Sequence, residues 1–160
     1  MSFSYNPQDA TLTDMSNNRS IFDIVGPIMV GPSSSHTAGA VRLGELARAI
    51  FGAQPASARI ELHGSFAATG DGHGTKLALV AGLLGMKPDD ERISHAFDVA
   101  RDSDMTVIFE DIELDEAHPN TAIFHLEPRK EDLQNEQLGV APLTITGSSV
   151  GGGNVVVTQI

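Results

Sequence analysis

The spacing of apolar residues changes character along this chain, and that change restricts the folds open to it. From His36 to Phe51, Val41, Leu43, Leu46, Ala47 and Ile50 recur at helical intervals, and Gly52 follows as the expected terminator. Ala58–Gly64 alternates apolar and polar residues, which marks a half-buried strand. A second helix is expected over Thr75–Leu84, stopped by Gly85 and Pro88. A third should cover Asp89–Arg101, with Ile93, Phe97 and Ala100 on one face and Asp89, Asp90 and Glu91 at its positive end. Beyond it only strands are read: Met105–Glu110, Ala122–Glu127, Val140–Ile145 and Asn154–Ile160. Early interleaved helices followed by consecutive strands predict an α+β domain of two layers, with helices packed on one face of a mixed β-sheet.

Residues 1–19 are rich in Asn, Ser, Asp and Thr without a periodic apolar face, so they read as a flexible arm, and the ordered domain is expected over residues 20–160. Ser20–Val25 reads as a short strand or helical turn, and Lys130–Gln137 as a solvated loop or hairpin tip. A length of 160 residues suits one domain able to bury a real core. A formal charge of −11 argues against nucleic acid and anionic membrane surfaces, both of which call for a positive footprint. Neither a spanning segment nor a signal peptide is read in the sequence, so cytoplasmic residence is the expectation. Without a single cysteine, the chain cannot supply thiolates to an iron–sulfur cluster.

Function is concentrated in three loops. Gly31-Pro32-Ser33-Ser34-Ser35-His36-Thr37 sets a turn, three hydroxyls and an imidazole just before the first helix, where hydroxyls either cap the helix or hold an anion at its positive end. His36 adds a group that exchanges protons near neutral pH. Gly70-Asp71-Gly72-His73-Gly74-Thr75 repeats the arrangement before the second helix; its glycines permit close approach of a ligand to the backbone. The spacing matches neither a dinucleotide fingerprint nor a phosphate loop. His118-Pro119-Asn120-Thr121 lies between two strands, where turn chemistry alone accounts for Pro and Asn. No histidine pair has the i, i+4 spacing of a helical metal site, and His63, His95 and His125 read as structural.

These segments, with Phe22-Asp23-Ile24-Val25-Gly26-Pro27 before them, Gly64-Ser65-Phe66-Ala67 between, and Gly147-Ser148-Ser149-Val150-Gly151-Gly152-Gly153 after, closely resemble the beta chain of bacterial iron–sulfur-dependent L-serine dehydratase. The resemblance runs from Ser20 to the end. It implies a fold similar to the allosteric substrate-binding domain of some phosphoglycerate dehydrogenases. In longer members of the family a small ACT domain follows the triple glycine and one last strand, the point at which this sequence stops, so the expectation is either a truncated chain or a version without that module.

The activity implied is the conversion of L-serine to pyruvate and ammonia through aminoacrylate, in partnership with a Cys-bearing alpha chain that ligates a [4Fe-4S] cluster. The resemblance places His36 and His73 beside the shared active site, one as the base that takes the Cα proton and the other as proton donor or carboxylate ligand, with the order left open. Ser33, Ser34, Ser35 and Thr37 are candidates to hold the substrate carboxylate; Thr75 would orient His73, and Asn120 could reach the same cleft. Helix capping stays an alternative for each serine. A chain of this kind should be inactive alone, bind no metal itself, and associate with itself when the partner is missing. Two rival readings are a regulatory domain that binds serine or an anion without chemistry, and a purely structural assembly module.

Overall fold

The computed structural model describes residues 35–70, 74–135 and 139–160. Helix α1 spans Ser35–Phe51, and Gly52 ends it with φ of +88°, the left-handed turn that glycine adopts without a Cβ penalty. Strand β1 follows at Ser57–His63, then a single helical turn α2 at Ser65–Thr69 and helix α3 at Thr75–Leu83, with Gly85 at φ +80° beyond its end. The expected third helix is divided into a 3-10 turn, Glu91–His95, and helix α4, Ala96–Asp102. Asp90 starts the 3-10 turn by accepting the Arg92 N–H at 2.9 Å, and its carboxylate also takes Arg92 side-chain bonds at 2.9 and 2.7 Å. Those bonds hold the Asp90 carboxyl below its ordinary pKa.

Strands β2 (Thr106–Ile112) and β3 (Thr121–Glu127) come next, then a helical turn α5 (Lys130–Leu133), β4 (Leu143–Gly151) and β5 (Asn154–Gln159). The five strands form one sheet in the order β2-β1-β3-β4-β5. Only β1 and β2 are parallel, joined by the crossover that carries α2, α3 and α4; every other pairing is antiparallel. This is the two-layer α+β fold with a mixed sheet that the sequence pattern predicts. Two segments differ. Lys130–Leu133 is a helical turn rather than loop, and β4 begins after Pro142 and continues through Gly147-Ser148-Ser149, which the residue types alone do not suggest for a strand.

The reason for that continuation is packing. A Cβ on Gly147 would lie 2.7 Å from Leu43 Cδ1 and 3.1 Å from the Val156 carbonyl oxygen, so glycine lets β4 pass this close to α1 without displacing either. The core fills the space between the layers: Ala58, Ile60 and Leu62 of β1, Ala122, Phe124 and Leu126 of β3 and Ile145 of β4 are buried together with Val41, Leu43, Leu79, Val80 and Leu83 of the helices. Burying one such large side chain contributes about 1.5–3 kcal/mol. On the alternate positions of the strands lie Arg59, Glu61, Glu110 and His125, which are partly exposed. Arg59 donates to Glu61 and, at 3.0 Å, to Glu110. His125 Nε2 lies 3.3 Å from Glu61 Oε1, close enough for an ion pair but off the line of a good hydrogen bond. Burial alone would raise the Glu61 carboxyl; the neighbouring Arg59 and His125 outweigh it and hold it below its ordinary pKa.

No helix among the described residues is long and apolar enough to cross a membrane. The expected arm over residues 1–19 and the element over Ser20–Val25 lie outside the described residues.

Candidate functional site

The two principal helices touch backbone to backbone. A Cβ on Gly44 would lie 2.3 Å from the Leu79 carbonyl oxygen, and one on Gly82 would lie 2.1 Å from the Val41 carbonyl oxygen. Farther along, the Arg48 guanidinium of α1 lies against Gly85, just past the end of α3. The contacts advance in the same direction on both helices, so α1 and α3 run parallel and start at the same end of the domain. Each start carries the partial positive charge of unpaired N–H groups, and two side by side make that end favourable to a small anion.

Sheet topology brings other groups to this end. β1 finishes at His63, while β3 runs antiparallel to it and starts at Thr121. Ser148, near the end of β4, pairs with Thr121. The Thr121 and Ser148 hydroxyls are 2.7 Å apart in a buried contact, and Thr121 Oγ1 also donates to the His118 carbonyl at 2.6 Å. Ser149 N–H donates to the Asn120 carbonyl at 3.0 Å, and Asn120 Nδ2 reaches the Ser149 carbonyl at 3.4 Å. The 118–121 turn is therefore fastened to the end of β4.

The same end of β4 is fastened to α1. A Cβ on Gly39, three residues after His36, would sit 2.0 Å from Ser149 Oγ, so glycine there admits the serine hydroxyl. Arg42 Nη1 donates to the Gly153 carbonyl at 2.8 Å, which ties the triple-glycine turn to the same helix. Asn120 is thus brought to the N-terminal part of α1 by way of Ser149.

Of the sequence-predicted residues, Ser35, His36 and Thr37 form the first turn of α1, and the His36 and Thr37 side chains are half-buried. Thr75 begins α3 after Gly74, whose φ is +72°. It is fully buried, and its hydroxyl has no hydrogen-bond partner among the described residues. Asn120 is half-buried and presents a buried Oδ1 that likewise has none. Ser33, Ser34 and His73 lie outside the described residues. Residue patterns had assigned Ser148, Ser149 and Gly39 no task. Their only signal was membership in the ordered motifs.

Two further histidines belong to this end. His63 Nδ1 accepts the Leu114 N–H at 3.1 Å and His118 Nδ1 accepts the Asn120 N–H at 3.1 Å, so in their neutral forms both rings carry the proton on Nε2. His63 also lines a cleft of about 620 Å³ with Gly64, Ala67, Asp111 and Asp115. Among the described residues no group of three His, Asp or Glu side chains is arranged to hold a metal ion. With no cysteine in the chain, its residues do not fit an iron–sulfur cluster.

The family described as serine dehydratase beta chain matches residues 20–159. Among curated relatives, the probable L-serine dehydratase beta chain of Bacillus subtilis is 42% identical over 142 residues, covering 89% of this chain and 60% of that one. The L-serine dehydratase beta chain of Peptoniphilus asaccharolyticus is 41% identical over 144 residues, covering 88% and 60%. An L-serine dehydratase of Streptomyces coelicolor is 35% identical over 152 residues, covering 86% of this chain and 33% of the longer protein. The chain thus spans about 60% of the length of the two beta chains it matches.

Proposed function

The chain belongs to the serine dehydratase beta chain family, and from that premise we propose that it acts as the beta chain of an L-serine dehydratase, a lyase converting L-serine to pyruvate and ammonia with an alpha chain. The observation that carries the reading furthest is the meeting, at one end of the domain, of two parallel helix starts with buried, unpartnered acceptor and hydroxyl groups at Asn120 and Thr75. L-Serine offers an ammonium, a carboxylate and a hydroxyl. Helix starts and hydroxyls suit the carboxylate, and the Asn120 carbonyl oxygen suits the ammonium.

Elimination requires removal of the Cα proton and loss of the Cβ hydroxyl, giving aminoacrylate, which tautomerises and is hydrolysed to pyruvate and ammonia. In this proposal an imidazole of this chain takes the Cα proton, and His36 at the start of α1 is a candidate together with His73. Ser33, Ser34, Ser35 and Thr37 orient the carboxylate, and Thr75 steadies the His73 loop. The [4Fe-4S] cluster of such an enzyme belongs to the alpha chain and its cysteines, since this chain has none. The complete enzyme resides in the cytoplasm, and the beta chain alone is inactive and self-associates through the surface left uncovered by its partner.

Replacing His36 or His73 by Ala in the alpha–beta enzyme tests the assignment. A general acid or base contributes roughly two to four orders of magnitude, so kcat should fall by that factor while KM changes little and cluster content is kept. Wild-type kcat at saturating L-serine in both variants, with a changed apparent affinity or activation, would replace catalysis by the regulatory reading.

A further inference from the structure

At the opposite end of the parallel helix pair a second feature has no part in the proposed chemistry. The last turn of α1 and the segment after α3 enclose a cleft of about 510 Å³, lined by Glu45, Arg48, Gly52, Gly85 and Lys87 among others. Lys87 Nζ lies 2.6 Å from Glu45 Oε1, so those two charges answer each other. Arg48 is left with its charge unanswered. Its side chain is half-buried, its Nε is buried, and among the described residues the guanidinium has neither a hydrogen-bond nor an ion-pair partner.

The other described arginines show how unusual that is. Arg59 bonds Glu61 and Glu110, Arg92 bonds Asp90, Arg101 bonds Asp98, and Arg42 and Arg129 donate to the Gly153 and Ser103 carbonyls. In a chain with 21 acidic and 10 basic residues acceptors are in excess, yet none among the described residues is aimed at Arg48. Placement in the last turn of α1 favours a cation through the helix dipole, but it gives the buried Nε–H no acceptor. The guanidinium packs against Gly85. Gly85 has φ of +80°, and a Cβ there would lie 2.4 Å from Arg48 Nη1, so the glycine keeps open the space the fork occupies.

We propose that this cleft is an oxyanion-binding site in which the Arg48 guanidinium takes a carboxylate or phosphate group. A planar fork with an unused Nε–H and an adjoining Nη suits the two oxygens of such a group, which would supply both the missing acceptor and the missing counter-charge. The Lys87 ammonium on the rim adds a second donor. Small free anions and an Asp or Glu side chain on a partner chain share this chemistry, and the experiment separates them.

The probe is the Arg48 Nε–H resonance of the 15N-labelled chain, titrated with inorganic phosphate and with acetate at constant ionic strength. Saturable movement with a dissociation constant on the order of millimolar is expected for one guanidinium in an open cleft. Arg48→Met, which keeps an unbranched stem, should abolish the accompanying shifts of neighbouring amides. Arg48→Lys should weaken them several-fold by losing the fork, and Gly85→Ala should weaken them by displacing it. If the free anions move nothing but Arg48→Met lowers affinity for the alpha chain about tenfold or more, the oxyanion is a carboxylate of that partner. Amide shifts that persist in Arg48→Met overturn the proposal. So does a resonance silent to both anions together with unchanged affinity for the alpha chain.

Discussion

Thr75 illustrates what a residue discloses by what it lacks. A hydroxyl at a helix start reads from sequence as a cap or a ligand-facing group, and the two roles diverge once burial is known. Gly74 occupies the cap position, and Thr75 is completely buried with an Oγ1 unpartnered among the described residues, a state that costs about 1–3 kcal/mol for a polar group removed from water. Thr75→Val keeps the shape and removes that cost. In the chain alone it should therefore leave stability unchanged or raise it by up to about 1 kcal/mol, as judged by urea unfolding. In the alpha–beta enzyme the same variant should lower kcat/KM about tenfold or more, because the hydroxyl is then needed by substrate or by the His73 loop. A loss of stability above about 1 kcal/mol in the chain alone would show that the hydroxyl serves the fold instead. Neither the burial of Thr75 nor the link from Ser149 to Gly39 could be read from residue types. Both depend on neighbours far away in the chain.

Among the elements, long periodic ones were legible and short or context-made ones were not. Helix α1 and its glycine stop, β1, β3 and α3 fall within a residue or two of their expected bounds, because amphipathic spacing and terminal glycines are local signals. Helix α2 is a single turn of Ser, Ala, Thr and one Phe, too short to show a period. The third helix divides because Asp90 caps a 3-10 turn whose last residue, His95, has φ of −114° and ψ of 17°, outside α-helical geometry. In β4, Gly147 looks like a turn former but is there for close approach to α1. The same reasoning applies to the helix pair. Gly44 and Gly82 are ordinary helical residues in backbone conformation, where Ala would normally gain about 1 kcal/mol in propensity. Here the new methyl of Gly82→Ala would meet the Val41 carbonyl oxygen at 2.1 Å and Glu45 N at 2.6 Å, backbone atoms that cannot rotate away. Overpacking of this kind outweighs the propensity gain, so the variant should lose about 1–3 kcal/mol and several degrees in Tm by calorimetry. An unchanged or raised Tm would mean that the two helices can move apart freely, and the shared helix end of the candidate site would lose its support.

On the scale of the whole molecule, the fold sets apart two ends of one helix pair. One end gathers His36, Thr75, Asn120 and the Ser148-Ser149 segment; the other leaves Arg48 without a counter-charge among the described residues. The layer arrangement was legible from the order of patterns, whereas the convergence of 36–39, 75, 118–121 and 147–153 follows from the parallel packing of α1 on α3 and from β3 and β4 running antiparallel, which no local signal encodes. His73, Ser33 and Ser34 lie outside the described residues, so their part in the site rests on the family resemblance. Under the proposed function this chain would contribute imidazoles, hydroxyls and helix ends to a dehydratase, and it has no thiolate to offer. The chain reconstituted alone with iron and sulfide under anaerobic conditions should show no cluster absorption and form no pyruvate from L-serine. Addition of a Cys-bearing alpha chain should restore both. A stable, stoichiometric cluster on the isolated chain would overturn the division of labour, because its ligands would have to be His, Asp or Glu side chains, and among the described residues no three of them are placed to hold a metal.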